Sequence, residues 1–245
     1  FLAMKYLSDY SGKIPQIIKY IKESKGPVIV YSRYIWSGVL PLALALEQNG
    51  IQRFINNNER PLLNYPFNRK GGGGKSQPVS YNGGIPFSKY KNKKNFKALK
   101  YAIYFPDNNF VKTKVENLVK IMNSKENRYG QNIKVLLGTK AITEGIDFKG
   151  IRQIQIMEPW YNLSMNEQVI GRGVRNCSHN DLPVEERNVE IFQYVGVPNK
   201  KSKKRIKETE TIDIKNYRIS ERKDVLIKKV ERVLKENAVD WDRKS

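Results

Sequence analysis

One cysteine and one histidine stand in 245 residues, and each scarcity closes off chemistry. Cys177 alone forms no intramolecular disulfide, which fits a reducing intracellular environment. Together with His179 it falls short of a zinc site built on thiolate and imidazole ligands. Any Ser-His-Asp or Cys-His scheme has to run through His179. No apolar run reaches about 18 residues, so no segment reads as a membrane-spanning helix. Acidic residues are missing locally too. Between Pro61 and Lys100 there are nine basic residues and no acid, and Lys200 to Lys207 adds six more basic residues, again with no acid. These two blocks carry 15 of the net charge of +21, and charge of that local density suits a phosphate backbone. The first residue is Phe1 with no charged-then-apolar leader, from which a piece of a longer polypeptide is expected.

What is present is enough for a core. A 39% hydrophobic content excludes wholesale disorder, and the length suits one large domain or two small ones. Ile14, Ile17, Ile18 and Ile21 recur at helical spacing, with Pro15 near the start where a missing N–H is harmless. Val28 to Tyr31 is a short continuous apolar run, the pattern of a buried parallel strand. Val39 to Leu46 predicts a helix that stops at Asn49-Gly50, with Pro41 in its first turns or at a kink, and a second strand is expected after it, so that 12–57 reads as helix, strand, helix, strand.

Residues 58–97 break the pattern with asparagines, four consecutive glycines and a lysine cluster, and are expected to be an insertion loop, with or without a short hairpin, that packs no core. Leu99 to Phe105 returns as a strand, and Phe110, Leu118, Val119 and Met122 as a helix. Ile133–Leu137, Ile151–Met157 and Val189–Val195 are further strands, with a helix around Met165–Val174. Strands alternating with helices predict an α/β fold, a mainly parallel sheet with helices on both faces. Ile219 to Asn237 reads as an amphipathic helix with Val225, Leu226, Val230, Val233 and Leu234 as its inner stripe. The expected division is 1–197 as the main domain, with the basic insertion at 58–97, and 198–245 as basic linker and final helix.

Gly71 to Gly74 followed by Lys75-Ser76 imitates a nucleotide-binding loop. That pattern needs glycine where Arg69 stands, and a strand before and a helix after. Tyr65-Pro66-Phe67 and Gln77-Pro78 supply neither, so a self-contained P-loop enzyme is excluded.

The informative stretch is Val135 to Phe148. It places Gly138, Thr139, Lys140, Thr143, Gly145 and Asp147 just after a strand, where backbone N–H groups and hydroxyls meet phosphate. Gly145 permits close approach, and Asp147 is able to accept from a ribose hydroxyl. Downstream, Gln168, Arg172 and Arg175 fall on one side of a helix, beside Gly171. Two arginines projected together suit the charge on a transferring phosphoryl group.

Val28 to Arg33, Gly138 to Asp147 and Gln168 to Arg175 resemble motifs IV, V and VI of the second RecA-like domain of superfamily 2 helicases. Glu158-Pro159-Trp160-Tyr161-Asn162 is similar to the Snf2-like branch. The run Asn176 to Pro183 and on to Arg187 is similar to helicases of large nucleocytoplasmic DNA viruses, among them the poxvirus early transcription factor subunit and nucleoside triphosphatase I. The resemblance covers residues 10–57 and 99–197.

It implies a RecA-like fold in the C-terminal half of an ATP-dependent helicase or translocase. Arg175 would be the arginine finger and Arg172 its companion. Gln168, Gly171, Gly145 and Asp147 would line the ATP cleft, and Ser32, Arg33, Thr139 and Lys140 would face a DNA or RNA backbone. Cys177 and His179 would pack beside motif VI. ATP with Mg²⁺ would be bound jointly with an N-terminal RecA-like domain of the same polypeptide, and this domain alone would be inactive. The setting implied is viral transcription, with viral RNA polymerase as a partner, in the virion and host cytoplasm. A non-enzymatic nucleic-acid-binding module of the same fold is the alternative, and the Arg172–Arg175 pair beside Gln168 speaks against it.

Overall fold

The structure is a computed structural model that describes residues 2–55, 60–63, 77–104, 115–143, 146–198 and 210–238. Gly71–Ser76, Lys200–Lys207, Phe110 and Gly145 lie outside these residues.

A six-stranded parallel sheet forms the centre, in the order β2-β3-β4-β1-β5-β6. Its strands are β1 (Val28–Tyr31), β2 (Gln52–Arg53), β3 (Lys100–Tyr104), β4 (Val135–Gly138), β5 (Gln153–Ile156) and β6 (Glu190–Gln193). β1 pairs with β4 on one side and β5 on the other, Val28 standing opposite both Val135 and Gln153. Every residue of these three strands is buried, as strands covered on both faces require. β6 is the edge strand, and three of its four residues are exposed.

Helices cover both faces, as the sequence predicts. On one face α2 (Ile14–Glu23) buries Ile17, Ile18 and Ile21, and α3 (Leu40–Gln48) buries Leu42, Ala43, Ala45 and Leu46 against Val28, Val30, Tyr101, Ile103, Val135 and Leu137. On the other, α4 (Val115–Met122) and α5 (Leu163–Gly173) cover Ile29, Tyr31, Leu136, Ile154 and Ile156. Burying one such Ile or Leu completely contributes about 1.5–3 kcal/mol. A short helix α1 (Met4–Leu7) precedes them. Pro41 occupies the first turn of α3, just after a π-helical turn at Ile35–Val39. The chain leaves α3 through Gly50 at φ +86°, where a Cβ would meet the Gln77 carbonyl oxygen at 2.1 Å.

Two expectations change. Part of the 58–97 insertion does pack: Val79 is buried in the core beside Leu99, with Leu62 and Tyr81 against the same cluster. Backbone hydrogen bonds to Gly50 and Leu99 stitch Val79 in, while Phe87 and Tyr90 meet Phe96 edge-on. Glycine-rich composition rules out regular elements, but it leaves an extended segment free to pair locally.

The final helix α6 (Ile212–Glu236) is the second change. Val225, Leu226, Val230, Val233 and Leu234 are exposed rather than turned inward. Its first half is docked: Ser220 is fully buried and the Lys223 ammonium lies 4.7 Å from the centroid of the Tyr161 ring. The Lys13 ammonium pairs with Asp213, which also accepts from the Gly196 N–H at 2.7 Å. Thr211 caps the helix through its side-chain oxygen.

Candidate functional site

The carboxyl ends of β4, β1 and β5 lie side by side, so the residues that follow them share one edge. Thr139 and Lys140 leave β4 into a 3₁₀ turn (Lys140–Thr143). Ser32 and Arg33 leave β1, and Glu158 and Trp160 follow β5. Lys140 and Arg33 are exposed and Thr139 half-buried. The Arg33 guanidinium carbon stacks 3.2 Å from the centroid of a Trp160 ring and 5.3 Å from that of Tyr34. Such a planar cation on an aromatic face is held in place while its edge stays available to an anion.

Ser32 departs from expectation. Its side chain is fully buried, and its hydroxyl donates toward Glu158 Oε1 at 3.0 Å and the Tyr34 carbonyl at 3.1 Å. Glu158 Oε2 accepts from the Arg33 N–H at 3.2 Å. Ser32 therefore shapes the turn that presents Arg33 instead of facing outward. Burial pushes the Glu158 carboxyl above its ordinary pKa, with the Ser32 and Arg33 hydrogen bonds pulling it back. Burial, and then the charge of Glu158, pushes the Tyr31 phenol up. A cavity of about 130 Å³ opens among Tyr31, Arg33, Tyr34, Glu158, Trp160 and Asp213. The sequence singles out Glu158 only within the Glu158–Asn162 resemblance, and its tie to Ser32 and Arg33 was not visible there. Its partner Ser32 is 126 positions away, and no local pattern links them.

The arginine pair sits elsewhere. α5 starts after β5, capped by the Asn162 side chain, and runs back along the sheet toward the amino end of β5. There Gly173 fits against Ile151 and Ile154, where a Cβ would come within 3.0–3.2 Å of both side chains. The Phe148 N–H donates to the Arg172 carbonyl at 3.2 Å, and Gly150 N–H to the Ser178 carbonyl at 2.9 Å. This register sets Asp147 opposite the end of α5.

Asp147 is the residue on which both arginines meet. Arg175 Nη1 lies 2.6 Å from Oδ2, and Arg172 Nη1 lies 3.4 Å from Oδ1. Arg172 is also tied inward, its Nε donating to the Thr143 carbonyl at 3.0 Å and its Nη2 to the same oxygen. Arg175 is freer: its Nε donates to the Gly171 carbonyl at 3.2 Å, and 45% of its side chain is exposed. Gln168 is exposed on the same helix, and the space a Gly171 side chain would enter is open. An open hollow of about 360 Å³ lies beside the pair, lined by Arg175, Cys177, His179, Asn180 and Arg187. The structure thus brings Arg172, Arg175 and Asp147 together, and the Thr143 carbonyl ties Arg172 to the turn that begins at Lys140. The spacing of four and three residues is what made the pair visible in the sequence. Its engagement by Asp147 was not visible, because the sequence reading assigns that carboxylate to a ribose.

Two guanidinium groups converging on one carboxylate that is 53% exposed form a donor set suited to phosphate oxygens, which match the guanidinium fork as a carboxylate does. No helix among the described residues is long and apolar enough to cross a membrane.

Residues 88–177 match the helicase conserved C-terminal domain. The chain is 30% identical over 197 residues to a protein of Acanthamoeba polyphaga mimivirus named as an ATP-dependent RNA helicase, covering 80% of this chain and 28% of that protein. It is 29% identical over 212 residues to the termination factor NPH-I homolog of African swine fever virus, covering 80% and 27%. It is 30% identical over 195 residues to the early transcription factor large subunit homolog of the same virus, covering 77% and 16%. The chain therefore spans little more than a quarter, at most, of these relatives.

Proposed function

We propose that this chain, whose residues 88–177 match the helicase conserved C-terminal domain, forms the second RecA-like half of an ATP-dependent nucleic-acid translocase serving viral transcription. The observation that carries the reading is the convergence of Arg172 and Arg175 on the exposed carboxylate of Asp147.

In this reading Arg175 is the arginine finger. ATP brings a γ-phosphoryl group on whose oxygens negative charge accumulates during transfer. Arg175, loosely held, exchanges Asp147 for those oxygens. Arg172, tied to the Thr143 carbonyl, stays as a fixed positive charge at the same place. Gln168 and the open face at Gly171 border the cleft, and Asp147 with Gly145 completes it. Mg²⁺ and the phosphate-binding loop belong to a first RecA-like domain of the same polypeptide. The donors this chain contributes are cations, which suit phosphate and repel a metal.

Arg33, Thr139 and Lys140 face the nucleic-acid backbone, with Ser32 shaping the Arg33 turn from beneath. Closure of the two domains over ATP would then move this edge along the strand. The basic blocks at Pro61–Lys100 and Lys200–Lys207 add sequence-independent attraction. The relatives named for transcription make viral RNA polymerase the partner to test first, in the virion and the host cytoplasm.

The test compares nucleic-acid-stimulated ATP hydrolysis by this chain alone, by a first RecA-like domain alone and by the polypeptide that joins them. Turnover only in the joined form supports the reading. Turnover of about 1 s⁻¹ by this chain alone, ordinary for a complete enzyme, would overturn it.

A further inference from the structure

We propose that Ser178 and His179 are positioning residues that hold the backbone of Arg175 still while its guanidinium changes partners. The inference rests on the reading of Arg175 as the residue that meets the phosphoryl group.

His179 Nε2 lies 2.7 Å from the Ile151 carbonyl oxygen. A carbonyl only accepts, so Nε2 carries the proton and the tautomer is fixed. The other ring nitrogen, Nδ1, lies 2.7 Å from Ser178 Oγ, and that hydroxyl lies 2.8 Å from the Arg175 carbonyl. The Arg175 N–H in turn points at Ser178 Oγ from 3.4 Å, and the Ser178 N–H donates to the Arg175 carbonyl at 3.2 Å. A chain of contacts thus runs from Ile151 through the imidazole and the hydroxyl to both backbone polar groups of Arg175. With a neutral ring the single hydroxyl hydrogen is shared between Nδ1 and the Arg175 carbonyl, which keeps the Ser178 N–H in either case.

The far end of the chain is rigid. Ile151 is fully buried, and the neighbouring Gly150 N–H donates to the Ser178 carbonyl at 2.9 Å. The loop is shaped for this docking. Cys177 adopts φ +63°, uncommon for a residue with a side chain, and so turns Ser178 and His179 back onto residues 150–151. Leu182 N–H closes the turn on the His179 carbonyl at 2.9 Å.

Division of labour follows from where each contact falls. Asp147 and Gly171 hold the Arg175 side chain, and Ser178 with His179 holds its backbone. Loss of Asp147 to a competing phosphate leaves the backbone anchored, so the guanidinium swings by side-chain rotation alone. Without the anchor, Arg175 would sit on a mobile turn past the end of α5. Misplacing a catalytic group by about 1 Å costs as much as 10²-fold in rate.

The experiment uses Ser178→Ala, Ser178→Thr and Arg175→Ala in the polypeptide that joins both helicase halves, together with amide hydrogen exchange on this chain. Ser178→Ala is expected to lower kcat about tenfold to a hundredfold while KM for ATP stays within about twofold. Exchange at the Ser178 and Gly150 amides should quicken, and Ser178→Thr, which keeps the hydroxyl, should recover both rate and protection. A wild-type kcat and unchanged exchange in Ser178→Ala, with Arg175→Ala slow, would overturn the anchor and leave the Arg175 reading intact. Equal losses in the Ala and Thr variants would overturn it as well, since loop packing alone would then explain them. Normal turnover in Arg175→Ala would remove the reading of Arg175 itself, and the anchor with it.

Discussion

Arg175 Nη1 rests 2.6 Å from Asp147 Oδ2, on a carboxylate that Arg172 approaches from its other oxygen. With both guanidinium groups on one side chain, Asp147 occupies the donors that a phosphate would use. Asp147→Asn should therefore strengthen binding of inorganic tripolyphosphate to this chain. Exposed ion pairs of this kind hold about 0.2–1 kcal/mol, which corresponds to a gain of up to about fivefold. Titration calorimetry in low salt measures it. Weaker binding in the Asn variant would mean that Asp147 orients the arginines instead of competing for them.

The two arginines should separate in stability measurements. Arg172 is mostly buried and bonds the Thr143 carbonyl, so Arg172→Ala leaves that oxygen short of a partner and should cost about 1–3 kcal/mol. Arg175→Ala should stay within about 0.5 kcal/mol, as exposed substitutions usually do. Urea unfolding of the isolated chain compares them, and equal costs would contradict the fixed-and-mobile division.

Two glycines in the same helix should respond in opposite directions. At Gly173 a Cβ meets Ile154 at 3.0 Å and Ile151 at 3.1 Å, so Gly173→Ala should destabilise by about 1–3 kcal/mol. At Gly171 nothing lies within 4 Å, so Gly171→Ala should gain up to about 1 kcal/mol of helix propensity. If the cleft lies where we propose, that more stable variant also loses ATP turnover. Thermal melts and ATPase assays of the pair check both halves.

Lys134 predicts a pH dependence. It is buried at the amino end of β4, with Nζ donating to the Ser24 carbonyl at 2.6 Å. Burial, helped by the charge of Arg152, pushes its pKa down from 10.5 to about 7. Between those values the unfolded chain binds the extra proton. Wild-type stability should therefore rise with pH across that window, by up to about 1.4 kcal/mol per pH unit. The penalty is fully present below about pH 7. Lys134→Met lacks this rise, so its stability relative to wild type should be highest below pH 7 and shrink toward pH 10.5. A difference that stays flat across the window would contradict the assignment.

Much of the fold was legible because β1, β4 and β5 are covered on both faces. Their continuous apolar runs mark central parallel strands, and only their order needed the structure. β2 fills the last place in the helix, strand, helix, strand order expected over 12–57, although two paired residues leave no periodicity to bound it. The packing of Val79 was hidden inside a segment whose glycines and lysines dominate its composition. α6 shows the converse limit: an apolar stripe reveals that a helix has a face, but not that anything covers it. At the site, helical spacing placed Gln168 and Arg172, whereas Arg175 lies two residues past the end of α5 and reaches Asp147 from the turn that follows. Ser32 was misjudged because exposure after a strand depends on the turn. Here the turn is set by Glu158, from a different strand.

The arginine finger is the claim on which the rest depends. Its most direct test is the kcat of Arg175→Ala in the polypeptide that joins both helicase halves, measured at saturating ATP and nucleic acid. The account predicts a fall of about 10³-fold or more, with KM for ATP little changed because the contact strengthens only as charge develops. Turnover at the wild-type rate would contradict it and reduce Arg175 to a surface partner of Asp147.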